Sequence, residues 1–461
     1  MPNYASPGVY VEEVPSAVKA IAGVGTSTAG FIGVIAQGTM PQPLSAVTDE
    51  RIGTGTATGA TEFSLKYPVV TASVHVKVKG ADLPAGTTAT ATNDDTARTS
   101  KVTLSTAPAN GDAVTASYIP QFIAAPAGEP KLVTNFGEFK KFFGDFHGVD
   151  DHNHLAHAVY GFFNNGGTRC WVMRLAASGD LANALLAFEA IDEIAIVAAP
   201  GFVDGTSRDA ITTHCRVKTQ DRFAIFDSKA EVTAVDAASL DPPPNSDYAA
   251  FYFPWIQVFD PVEKKDNPAG DGLIFVPPSG HLAGVYARVD TERGVHKAPG
   301  NEVIMGALGL KYRVSKAQQD GLNPSGVNCI RDLNGNIRVW GARTVGGEAN
   351  ADLKYINVRR TLLFLRESID EGTQWVVFEP NTPALWQKIT RNVTAFLTNV
   401  WRSGALFGNT VQEAFYVKCD AETNPPELRE LGQVVTEIGV AIVRPAEFVI
   451  FRISQWQPPA K

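Results

Sequence analysis

The chain has 461 residues, 44% of them hydrophobic and 19% charged, enough for two to four domains with separate cores and a balance unlike that of a disordered chain. A net charge of −8 argues against a general phosphate-binding surface, because nucleic-acid binders concentrate Lys and Arg. The sequence lacks the run of about eighteen apolar residues that a membrane-spanning helix needs, so none is predicted.

Met1-Pro2-Asn3-Tyr4 offers neither a basic nor an apolar leader region, so no secretory signal is expected. Residues 1–20 read as an extended arm. Pro2, Pro7 and Pro15 bracket a short strand, Val9, Tyr10, Val11, Glu12, Glu13 and Val14, with nothing local to pair with. Between 46 and 123 the composition shifts to Thr, Ala and Val. There Val74, Val76 and Val78 alternate with polar residues, which predicts a half-buried strand. Lys101–Thr106 and Asp112–Tyr118 are two further strands, joined by a hairpin signal at Ala109-Asn110-Gly111. This stretch reads as an all-β module inserted into a larger domain made of residues 21–45 and 124–350.

That larger domain reads α/β. Predicted strands at 169–174, 194–198 and 222–226 alternate with helices at 180–190 and 207–217, which implies a largely parallel sheet. Ser315 and Gln318 form a capping box for a helix ending before Asn323-Pro324. Residues 351–445 form a C-terminal α/β domain with two long helices. In the second, Thr382 is placed as N-cap and Pro383 in the first turn. Leu385, Ile389, Val393, Phe396, Leu397 and Val400 make its apolar stripe, and Lys388, Arg391 and Arg402 fall opposite with no acidic residue between them. A solvated face is the plain reading of these three cations; a docking face for an acidic partner is the functional one. Residues 446–461 form a second arm, in which Phe448, Val449, Ile450, Phe451, Arg452 and Ile453 make a strand apolar on both faces and therefore suited to burial in a sheet.

Candidate chemistry is thin. Asp150-Asp151-His152-Asn153-His154-Leu155-Ala156-His157 is the densest set of possible metal ligands, but His at i, i+3 without an intervening Glu departs from the catalytic zinc helix. A helix capped by Asp150 or Asp151 is the preferred reading. Asp94 or Asp95, His147 and Ser207 imitate a serine-protease order, yet scattered residues supply no geometry. Gly23-Val24-Gly25-Thr26-Ser27-Thr28 is not a nucleotide fingerprint, and the dipeptide Gly-Lys occurs nowhere. Asn164-Asn165-Gly166-Gly167 reads as a turn. The cysteines, Cys170, Cys215, Cys329 and Cys419, form no C-x-x-C pair, and Cys170 and Cys215 read as reduced core thiols of a cytosolic protein. No catalytic, cofactor or metal residue is therefore assigned.

The most specific signal is an ordered series of blocks. It opens with Pro7–Glu13 (P-G-V-Y-V-E-E) and Gly30-Phe31-Ile32-Gly33. It continues through Pro277–Arg288 (P-P-S-G-H-L-A-G-V-Y-A-R), Arg293–Pro299, Asn328–Arg331 and Val339–Thr344 (V-W-G-A-R-T). Tyr355–Arg360 (Y-I-N-V-R-R), Val377–Asn381 (V-F-E-P-N), Gly404–Gly408, Phe415–Asp420 and Pro445–Phe448 complete it. Together these resemble the contractile tail sheath proteins of phages, tailocins and extracellular injection systems. The resemblance implies a structural protein assembled in the bacterial cytoplasm and released by lysis, with no enzyme activity and no cofactor. It implies stacked hexameric rings of the chain itself around an inner tail tube, with baseplate, terminator and sister sheath proteins as partners and neither nucleic acid nor membrane insertion. It makes the two arms inter-subunit strands and turns Lys388, Arg391 and Arg402 toward the tube. The family's main fold has been likened to subtilisin, which keeps a hydrolase as the alternative, with an adhesin or other particle component as a further one.

Overall fold

The computed structural model describes residues 20–35, 46–94, 99–121 and 125–452. The predicted arm strand Val9–Val14, Asp95 and Ile453 lie outside the described residues. The largest core surrounds an eight-stranded sheet. Its strands are β1 (Ala29–Val34), β2 (Lys131–Val133), β3 (Cys170–Leu175), β4 (Ile196–Ala198), β5 (Phe223–Asp227), β6 (Ala249–Phe253), β7 (Val327–Leu333) and β8 (Asn336–Trp340). They lie in the order β8-β7-β6-β5-β4-β1-β3-β2, with parallel pairing from β7 to β3 and an antiparallel strand at each edge. Strands such as Phe-Ala-Ile-Phe-Asp and Ala-Ala-Phe-Tyr-Phe are buried on both faces, as parallel strands covered by helices must be. The α/β core with an inserted β-rich part is the fold class expected from the sequence.

Helix α1 (Asp150–Asn164) and helix α2 (Ser279–Arg293) cross on this sheet at unusually close range. A Cβ on Gly280 would lie 2.2 Å from the Ala158 Cα, and one on Gly284 would lie 2.4 Å from the Phe162 carbonyl oxygen. The small residues in P-P-S-G-H-L-A-G are thus a packing face, where any side chain would push the helices apart. The start of α2 is fixed by Asp227, whose carboxylate accepts from the Ser279 N–H (2.8 Å) and Oγ–H (2.6 Å).

Asp150 and Asp151 do not cap α1, contrary to the sequence reading: Val149 occupies the cap position and no side chain bonds the first turn from it. They still lie in the first turn, where negative charge suits the helix dipole. The helix predicted over 207–217 starts at Gly205 on an Asp204 cap and continues as a wider turn to Thr219. The Ser315–Gln318 capping box is present in both directions.

The inserted part is a two-sheet sandwich around Phe63, Leu65, Val76, Val102, Val114 and Tyr118. The hairpin expected across Ala109-Asn110-Gly111 does not form. Thr99–Leu104 pairs with Glu62–Leu65 and Ala89–Asp94, whereas Ala113–Tyr118 pairs with Val47–Thr54 and His75–Val78 in the other sheet. Both strands bury alternate residues, so each completes its own sheet over the shared core. The body's described residues on either side of the sandwich are held together: the buried Arg174 guanidinium donates to the Ile35 carbonyl (2.6 Å) and to the Ala125 carbonyl (2.9 Å). Val47 and Tyr118 are register partners, so the sandwich also begins and ends side by side.

Gly284→Leu should lower stability by at least about 2–3 kcal/mol through overpacking, read by denaturant melts. Replacing residues 46–121 by a short flexible linker should leave the remaining body folded, with an unchanged melting transition for its sheet core, because Arg174 already holds the two stubs together.

Candidate functional site: the C-terminal half and the root of the arm

A second apolar cluster forms around helix α3 (Ile356–Thr373) and helix α4 (Pro383–Arg402), with strands β9 (Phe415–Lys418) and β10 (Glu437–Val440) beside them. All six stripe residues of α4 predicted from sequence are buried here. Pro383 sits in its first turn as expected, but the Thr382 side chain makes no capping bond. Ile21, assigned from sequence to the sheet domain, instead packs into this cluster against Gly372.

The cluster is joined to the sheet core by a buried ion pair. Arg360 donates to both carboxylate oxygens of Asp290 at 2.9 and 2.6 Å, and both side chains are 4% exposed. Thr26 closes the set, donating its hydroxyl to Asp290 (2.6 Å) and accepting from Arg360 at its carbonyl (2.9 Å). The Gly-rich segment 23–28 is therefore a strap between the two halves, stitched further by the Val24 N–H to Ser368. Burial opposes charge on Arg360, but Asp290 outweighs it and holds the guanidinium pKa above its ordinary value.

Three blocks of the sequence meet at Glu447. Arg343 grips it with two donors, Nε to Oε1 and Nη2 to Oε2, both at 2.8 Å. Tyr355 donates its hydroxyl at 2.8 Å and Asn323 its amide at 2.7 Å. Partial burial works against the Glu447 charge, yet these donors outweigh it and hold the carboxyl below the usual carboxylate range. Tyr355 is pushed up to about 12, first by burial and then by Glu447. Just upstream, the Val443 carbonyl accepts from Asn357 and Arg444 pairs with Asp352. The chain is thus tied on both sides of Pro445.

Beyond Glu447 the apolar side chains are uncovered. Phe448, Val449, Ile450 and Phe451 are 70%, 68%, 79% and 84% exposed, and no residue from 448 to 452 pairs with a strand of this chain among the described residues. The β9–β10 sheet has only two strands, so each has a single neighbour among the described residues. Lys388, Arg391 and Arg402 are all exposed on one side of α4 and have no acidic partner within 4.0 Å among the described residues.

The candidate chemistry resolves into packing. His157 bonds Asp260 through Nε2 at 2.7 Å, while His154 turns its ring edge-to-face onto Trp255. His281, fully buried between helices, is held down to about 3 by desolvation and by nearby His157. His147 stacks on His152 before α1, Ser207 bonds the Asp204 cap, and Asp94 lies in the sandwich. They stand on different elements and build no triad.

Two family models match consecutive stretches of the chain, the phage tail sheath protein central domain over residues 176–345 and the phage tail sheath C-terminal domain over residues 348–455. The chain belongs to the phage tail sheath family. A putative prophage major tail sheath protein of Pseudomonas aeruginosa is 26% identical over 48% of this chain and 58% of its own length. The tail sheath protein of Burkholderia phage BcepMu is 25% identical over 44% of this chain and 42% of its own. The chain spans about half the length of these curated relatives. Among solved structures, a chain of the anti-feeding prophage baseplate is 25% identical with a TM-score of 0.64, covering 98% of this chain and 100% of that one. A chain of the contracted PVC sheath complex, from an extracellular contractile injection system, shares the fold at 22% identity and a TM-score of 0.66, over 99% of each chain.

The family's blocks at Arg343, Tyr355 and Glu447 are the residues of the arm root. Glu447→Gln should remove the ion pair but keep the fold, lowering stability by about 1–3 kcal/mol. Amide hydrogen exchange over residues 444–448 should rise about tenfold or more, while exchange in the sheet core stays unchanged.

Proposed function

We propose that this sheath-family chain is the structural subunit of a contractile tail sheath. It polymerises as stacked hexameric rings around an inner tube and shortens from a metastable extended lattice to drive the tube through a target envelope. The observation that carries the reading is the arm: four consecutive apolar residues held out in solvent beyond a rigidly fixed Glu447. Exposed apolar strands seek a sheet edge, and strand addition supplies main-chain hydrogen bonds with apolar burial. The two-stranded β9–β10 sheet of a neighbouring copy offers such an edge. The arm strand Val9–Val14 serves the same mesh from the other end.

In this reading the pivot lies between Glu447 and Phe448, so a subunit body rotates while its strand stays paired in the neighbour. No nucleotide is needed, because contraction is a two-state change in packing triggered at the baseplate. Lys388, Arg391 and Arg402 hold the extended state through an acidic face of the tube. Residues 46–123 form an outward module, 21–45 with 124–350 the sheath core and 351–445 the tube-facing domain. Assembly takes place in the bacterial cytoplasm, and lysis releases the particle.

A chain ending at Glu447 tests this. It should remain a folded monomer with the parent's melting profile and form no sheath tubes by negative-stain electron microscopy. Tubes from that truncation, indistinguishable from those of the full chain, would sink the arm reading.

A further inference from the structure

The α4 face has a second complement besides an acidic tube, and it lies on the chain itself. Where the sheet core meets the C-terminal cluster, a groove of about 860 Å³ runs along α3 and β10. Its floor is apolar, with Leu365, Ile369, Leu397 and Ile438, and its rim is mostly acidic, with Asp192, Glu367, Asp370 and Glu371 beside one cation, Arg366, which bonds Gln220. Asp192, Asp370 and Glu371 are exposed, and none of the four rim carboxylates has a cationic partner within 4.0 Å among the described residues. Burial and then the crowding of Asp221, Asp370, Glu371 and Asp192 raise the Glu367 pKa. Within one chain the two faces do not meet: α4 turns its apolar stripe inward, where Phe396 touches Phe364 of α3, and its cations point away.

We propose that this groove receives the Lys388–Arg391–Arg402 face of α4 from a second copy of the chain. A groove with an apolar floor and an acidic rim matches Lys and Arg side chains, whose aliphatic stems cover apolar surface while their heads reach carboxylates. The charges favour a second copy on energetic grounds too. A chain of net charge −8 repels its own kind, so a local site where opposite charges meet favours association. The contact is heterologous, one surface meeting a different one, and such contacts repeat into open helices instead of closing as dimers. It rests on the sheath reading and extends it: the cationic face engages the tube before contraction and the groove of a neighbouring subunit once the tube is released.

The test uses the purified full-length chain at low salt, with no tube or baseplate protein present, and reads assembled mass by sedimentation and electron microscopy. Lys388→Glu with Arg391→Glu should lower assembly about tenfold or more, as should Asp370→Lys with Glu371→Lys. Combining all four should restore it, since the pairs are re-formed with signs exchanged. Neutral variants, Lys388→Gln with Arg391→Gln, replace any reversal that alters the melting profile and should show a smaller loss in the same direction. The inference is overturned if the parent stays monomeric, if single-sided reversals assemble like the parent, or if the combined variant is no better than either half. The tube reading stands apart, because it is judged by whether Lys388→Glu with Arg391→Glu abolishes binding to purified tube protein. Unchanged self-assembly with lost tube binding would remove this inference alone, and the converse would remove only the tube reading.

Discussion

The carboxylate of Glu447 determines where the chain stops belonging to its own body. Four donors from Arg343, Tyr355 and Asn323 satisfy both of its oxygens, and Arg343 is itself 3% exposed and further held by Glu348. Removing one partner from such a set leaves the others desolvated and unpaired, which makes the anchor stiff. The next residue is Phe448, and from there four apolar side chains project without cover. A stiff root beside an uncovered apolar segment is what a donated element needs. In the proposed sheath, that root would transmit load to the body while the segment from Phe448 onward pairs with a neighbour.

The rest of the body is cross-braced by contacts of its own. The Asp290–Arg360 pair locks the C-terminal helices to the sheet core, with the strap at Thr26 across it. Close crossing of α1 and α2 at Gly280 and Gly284 stiffens the sheet core itself. By contrast, Arg174 ties together Ile35 and Ala125, the described body residues on either side of the sandwich. The sandwich's own core, separate from the other two, lets it vary without disturbing the body.

Much of this could be read in the sequence where physics is local. The α4 stripe, the strand and helix alternation from 169 to 226 and the capping box at Ser315 all follow from periodicity and end chemistry. The blocks were visible as blocks, but their roles were not. Arg343 and Glu447 are separated by 104 positions, and nothing local says that they meet. The same holds for Arg174, which touches residues flanking the insertion, and for the groove carboxylates, drawn from segments around 192 and 367–371. The hairpin at Ala109-Asn110-Gly111 failed because a local turn signal cannot say which of two sheets each strand joins. The cap assigned to Asp150 or Asp151 failed because the helix starts earlier than that reading requires, with Val149 at the cap, whereas Thr382 does hold the cap position of α4 and lacks only the side-chain bond.

The most direct test of the central claim is a cryo-electron-microscopy reconstruction of tubes assembled from the full-length chain. The account predicts that Phe448–Arg452 of each copy runs as an added strand beside β9 or β10 of a neighbour, with Glu447 still held by Arg343 of its own chain. A reconstruction in which those residues fold back on their own body, or in which copies touch only through their globular surfaces, would contradict it.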